Sequence, residues 1–153
     1  MPLQKCILSS YTNKSKKFIF KKGIIVAKKI ILVDDSKTIL ATAEMALEDL
    51  VSAGTITLKT YLNPAELRDA LLSGSEDFDL LISDINMPQL NGLDLARELK
   101  QHASFKTKPI LILTTESSAQ MKAQGKEIGV TGWLVKPFSD EKLVKAMKMV
   151  LGL

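Results

Sequence analysis

The sequence predicts a doubly wound α/β fold: a five-stranded parallel sheet wrapped by five helices. Three observations carry this. Short runs that are apolar nearly throughout recur along the chain, helical patterns fill the gaps between them, and the alternation repeats five times without an internal sequence repeat. Four runs, Ile30–Val33, Leu80–Ile82, Ile110–Leu113 and Trp133–Val135, suit strands covered on both faces. A fifth, Thr55–Leu62, sets Ile56 and Leu58 against Thr57 and Lys59 and reads as a half-exposed edge strand.

The helices follow in order. Ser36 can cap the first, whose apolar face is Ile39, Ala43, Ala46, Leu47 and Leu50, with Gly54 as a stop signal. Pro64–Leu72 is the second, since proline is tolerated in a first turn. Leu93–His102 is the third. Ala119–Ile128 is the fourth, ended by Gly129. The fifth runs from a Ser139 cap to Leu151 and turns Leu143, Met147 and Val150 inward.

Charge is divided unevenly. Residues 1–28 hold seven lysines and no acid, and the rest of the chain holds 14 basic and 17 acidic residues. Residues 1–28 therefore read as a basic N-terminal extension. It is flexible, or docked as an extra strand through Phe18-Ile19-Phe20, or an artefact of the start site with Val26 as the true initiator. Residues 29–153 are the domain proper, mildly acidic and without a nucleic-acid footprint. No apolar run approaches the roughly 18–20 residues that span a bilayer. The leader is a poor signal peptide, because Lys28 and Lys29 interrupt the apolar run Gly23–Val33. Cys6 is the only cysteine and His102 the only histidine, so an internal disulfide framework, a cysteine zinc site and a histidine metal cluster are excluded. A reducing cytoplasm is the expected setting. His102 reads as a solvated surface residue.

In an open parallel sheet, ligands bind outside the carboxyl ends of the strands. The first strand ends in Asp34-Asp35, the third in Asp84, the fourth in Thr114-Thr115-Glu116 and the fifth in Lys136-Pro137-Phe138. Asp34 or Asp35 alone could be a solvated loop acid. Three carboxylates, a hydroxyl and an ammonium at the same end of different strands make a site. Lys136 offsets one of the like charges, and Mg²⁺ with oxygen ligands suits the remainder. A carboxylate beside Mg²⁺ and a lysine is a nucleophile for a phosphoryl donor.

Residues 29–153 resemble the receiver domains of bacterial two-component response regulators, of the CheY-like chemotaxis type. The matching stretches are Ile31-Leu32-Val33-Asp34-Asp35-Ser36, Ile82-Ser83-Asp84-Ile85-Asn86-Met87-Pro88, Asn91-Gly92, Leu113-Thr114-Thr115-Glu116 and Gly132-Trp133-Leu134-Val135-Lys136-Pro137-Phe138. The resemblance implies the flavodoxin-like, CheY-like strand order 2-1-3-4-5. It implies Asp84 as phosphoacceptor and Asp35, Asp84 and the Asn86 backbone carbonyl as Mg²⁺ ligands, with Asp34 binding through water. Lys136 would pair with the phosphoryl group and precede a cis proline. Thr114 and Trp133 would be the switch pair, and the Asn86 and Glu116 side chains would tune dephosphorylation. The chain departs from the family pattern at Thr115, bulkier than the usual small residue, and in its leader.

The implied partners are a histidine kinase as phosphodonor and a target protein on the face of the fourth helix, fifth strand and fifth helix. With no output domain after Leu153, the expected function is a single-domain response regulator in chemotaxis-type signalling, promoting only its own phosphorylation and dephosphorylation. A phosphorelay intermediate or kinase-regulating receiver is the alternative. An aspartyl-phosphate phosphatase of the haloacid dehalogenase type is disfavoured. Its general acid would fall at Asn86, which has no proton to donate usefully. A flavodoxin-like cofactor binder is disfavoured because Asp34-Asp35 would repel the cofactor phosphate.

Overall fold

A computed structural model describes residues 17–20 and 23–153. Two short strands, β1 (Lys17–Phe20) and β2 (Gly23–Val26), pair antiparallel in a sheet of their own. Phe18–Phe20 does form a strand, then, but its partner is the neighbouring stretch and not the main sheet. Cys6 and the rest of the leader lie outside the described residues.

The main sheet is built from β3 (Lys28–Val33), β4 (Ile56–Tyr61), β5 (Leu80–Ser83), β6 (Ile110–Thr114) and β7 (Gly132–Val135), all parallel. Their order is β4-β3-β5-β6-β7, the predicted 2-1-3-4-5. Side chains alternate across each strand, so one set faces each side of the sheet. Ile31, Val33, Leu81, Ile110 and Ile112 join one core with Leu67 and Leu71 of α3 (Pro64–Ser73) and Leu93, Ala96 and Leu99 of α4 (Gly92–Lys100). Met121 and Ile128 of α5 (Ala119–Ile128) pack on the same side. Ile30, Leu32, Leu80, Ile82, Leu111 and Leu113 join a second core. Leu40, Ala43 and Leu47 from the α1 region (Lys37–Ala46), and Leu143 and Met147 of α6 (Asp140–Leu151), complete it.

Three expectations need correction. The first predicted helix is broken, which raises the helix count to six: α1 stops at Ala46 and a short α2 follows at Glu48–Ser52. The break is at Leu47, whose ψ of 2° departs from helical geometry while its side chain is fully buried in the second core. The apolar pattern runs through the break unaltered, so the sequence does not reveal it. The run Trp133–Val135 is not covered on both faces. It belongs to β7, an edge strand whose residues are half-buried or exposed. His102 is also half-buried, its Nδ1 accepting the Ser104 N–H at 3.2 Å.

Candidate functional site

The carboxyl ends of β3, β5, β6 and β7 gather the polar groups. After β3 the Asp34 N–H donates to the Tyr61 carbonyl at 3.1 Å, which pins the turn to β4. The Asp34 side chain is 1% exposed. Its Oδ1 accepts the Ser36 N–H at 2.9 Å and its Oδ2 accepts Lys136 Nζ at 2.6 Å. Ser36 thus orients Asp34 through its backbone while its Oγ caps α1 by accepting the Ile39 N–H at 3.3 Å.

Asp84 follows β5, and its N–H donates to the Val33 carbonyl at 3.2 Å. Its Oδ1 accepts the Ile85 N–H at 2.7 Å and its Oδ2 accepts Lys136 Nζ at 3.0 Å. Lys136 reaches both carboxylates because its own N–H donates to the Thr114 carbonyl at 2.8 Å, holding the end of β7 against the end of β6. The Lys136–Pro137 peptide bond is cis, as the resemblance implies.

One carboxylate oxygen each from Asp34, Asp35 and Asp84 lie within 4.8 Å of one another. Asp35 is exposed and the other two are buried. Burial pushes the Asp34 carboxyl above the usual carboxylate range, and the hydrogen bonds from Lys136 and the Ser36 N–H only partly oppose it. Burial also works against the Lys136 ammonium, but its bonds to Asp34 and Asp84 outweigh that and hold its pKa above the ordinary lysine value. Three acids against one lysine leave negative charge over. An all-oxygen donor set with surplus negative charge is one that Mg²⁺ fits.

Thr114 is fully buried at the end of β6, and its Oγ1 accepts the Glu116 N–H at 3.3 Å. That leaves the hydroxyl hydrogen available to donate elsewhere. The Glu116 Oε2 accepts Asn86 Nδ2 at 2.9 Å, which bridges the loops after β5 and β6. The Glu116 carbonyl accepts the Trp133 Nε1–H at 2.9 Å. Trp133 is half-buried and packs against the first core. Glu116 therefore touches Thr114, Asn86 and Trp133 at once. The sequence puts Asn86 and Glu116 beside the site but gives no sign that they bond.

Gly92 is a residue whose role sequence reasoning missed. Its N–H donates to the Ile85 carbonyl at 2.8 Å, and an ideal Cβ there would lie 1.8 Å from the Asp84 carbonyl oxygen. The start of α4 presses against the Asp84 backbone, and only glycine allows it. Asn91 caps the same helix by accepting the Leu93 N–H at 2.8 Å. The Asn91-Gly92 pair is among the stretches that match the receiver family, but neither the cap nor the close approach is read from the sequence.

Residues 30–148 match the model of the response regulator receiver domain. The chain belongs to that family. It is 32% identical over 124 residues to the chemotaxis protein CheY1 of Helicobacter pylori, covering 81% of this chain and 97% of the relative. Protein PilG of Pseudomonas aeruginosa is 34% identical over 121 residues, with 78% of this chain and 84% of the relative covered. The structure of the chemotaxis protein CheY4 of Vibrio cholerae at pH 4.0 superimposes with a TM-score of 0.73 and 36% identity, covering 82% of this chain and all of that one. The receiver fold and the CheY-like character expected from the sequence both stand. Among the described residues, no helix of this receiver is long and apolar enough to cross a membrane.

Proposed function

We propose that this receiver is a phospho-accepting switch of chemotaxis-type signalling. Asp84 takes a phosphoryl group from the phosphohistidine of a histidine kinase, and the change is passed to a target protein in the cytoplasm. The observation that carries the reading is the Lys136 ammonium set between Asp34 and Asp84 at the end of a parallel sheet. In the transfer, an Asp84 carboxylate oxygen bonds to phosphorus as the phosphorus–nitrogen bond to the donor imidazole breaks. Asp35, Asp84 and the Asn86 carbonyl would hold Mg²⁺ directly, and Asp34 through water. When bound, the metal neutralises charge on the phosphoryl oxygens. Lys136, bonded to Asp84 Oδ2 at 3.0 Å, shares that task. The Thr114 hydroxyl donates to a phosphoryl oxygen, and Asn86 and Glu116 set how readily water reaches the acyl phosphate.

Output goes through Thr114 and Trp133. Thr114 ends β6 and Trp133 pairs across from Ile112 on β7, so movement at one strand end is felt by the next. The surface that changes is α5, β7 and α6, and it is where a target protein binds. The chain catalyses only its own phosphorylation and dephosphorylation. The test is phosphotransfer: a histidine kinase pre-loaded with labelled phosphate should pass its label to the native chain and not to Asp84→Ala. Equal labelling of both overturns the assignment.

A further inference from the structure

The middle of α5 holds a glycine where the helix gains nothing from one. Gly125 is buried and helical, and glycine is the poorest helix former apart from proline. The geometry gives it a purpose. An ideal Cβ on Gly125 would lie 2.8 Å from Cζ3 and 3.3 Å from Cε3 of the Trp133 indole, and 3.0 Å from Cγ2 of Val130. The first distance is shorter than real Cβ contacts allow. The indole is fixed from its other edge as well, because Nε1–H donates to the Glu116 carbonyl at 2.9 Å. The ring cannot shift away from α5 without disturbing that bond. A bicyclic ring on an edge strand thus fits between β7 and the helix because the helix has no side chain at 125.

We propose that Gly125 is the positioning residue for Trp133: it opens the seat in which the indole lies inward and hydrogen-bonded to Glu116. This rests on the reading of Trp133 as the output aromatic and adds what sets its conformer. The device is steric. A single methyl at 125 closes the seat, turns the indole outward and breaks the link from Trp133 to Glu116. The α5–β7–α6 face would then be held in one shape whatever happens at Asp84.

Trp133 is the only tryptophan, so its fluorescence reads the seat directly. The full chain and Gly125→Ala are compared by emission maximum and acrylamide quenching, each with and without Mg²⁺ and beryllofluoride. Gly125→Ala should emit further to the red and be quenched several-fold more strongly in both conditions, while still labelling at Asp84 with acetyl phosphate. Melting supplies a readout that a merely structural role would not move in this way. Gly125→Ala should raise the melting temperature in a Trp133→Ala background, where the methyl no longer meets the indole and helix propensity is gained, and lower it in the native background. If Gly125→Ala does not fold, Gly125→Ala with Trp133→Phe should, because the smaller ring clears the methyl. A rise in melting temperature in the native background, with emission and quenching unchanged, overturns the proposal. So does failure of the Phe double variant to fold. If the native chain fails to label at Asp84, it is the phosphoacceptor reading that falls, and the fluorescence comparison still decides the seat.

Discussion

Lys136 stands between two buried carboxylates, and that placement explains why the acids can share one strand edge. A buried like-charge pair without it would raise a pKa or destabilise the fold. The compensation is incomplete, because the third acid, Asp35, lies within reach of the other two. Millimolar Mg²⁺ should therefore stabilise the native chain, by about 2.7 kcal/mol at 100 times its dissociation constant. Asp35→Ala should lose most of that response and melt higher than the native chain without metal. Thermal melts with and without Mg²⁺ check both, and an undiminished Mg²⁺ shift in Asp35→Ala contradicts the site. These groups were legible in the sequence because each follows an apolar strand. The Asn86–Glu116 bond and the indole seat at Gly125 were not, because they depend on how two loops, and a helix and an edge strand, approach one another, which no local pattern encodes.

The elements were legible in proportion to how fully they are buried. β3, β5 and β6 lie in the middle of the sheet, and their unbroken apolar runs announce it. β7 has the same kind of run but sits at the edge, where Trp133 needs the cover of α5. The helix α4 meets the site through Gly92, so Gly92→Ala should cost about 1–3 kcal/mol or more by forcing the helix off the Asp84 backbone. Urea unfolding measures it, and a neutral substitution would mean the helix shifts freely. The loop after α3 is tied to the edge strand β4 by Glu76, which accepts Tyr61 Oη at 2.6 Å and pairs with Lys59 Nζ at 2.7 Å. Burial opposes the Glu76 charge, but the bonds from Lys59, Tyr61 and the Asp77 N–H outweigh it and hold its pKa below the usual glutamate value. The folded-state pKa is thus depressed, so the contribution is complete above the unfolded value of about 4.3 and fades as pH falls through the folded one. Glu76→Gln should be less stable than the native chain at neutral pH, and the difference should narrow in acid. A pH series of melts tests it, and a gap that widens below pH 4 or so would contradict the assignment.

Two cores on opposite faces of one sheet make the receiver a single cooperative body from β3 to α6. Among the described residues, the β1–β2 pair forms a sheet of its own. Deleting residues 1–25 should leave melting temperature and acetyl-phosphate labelling intact, and a clear drop in melting temperature would mean the leader packs on the body. Every role proposed for the site follows from phosphorylation at Asp84. The most direct measurement is intact mass after incubation with acetyl phosphate and Mg²⁺, for the native chain and Asp84→Ala. The native chain should gain the mass of one phosphoryl group only when Mg²⁺ is present, and Asp84→Ala should gain none. A native chain that stays unmodified, or an Asp84→Ala variant that gains the same mass, would contradict it.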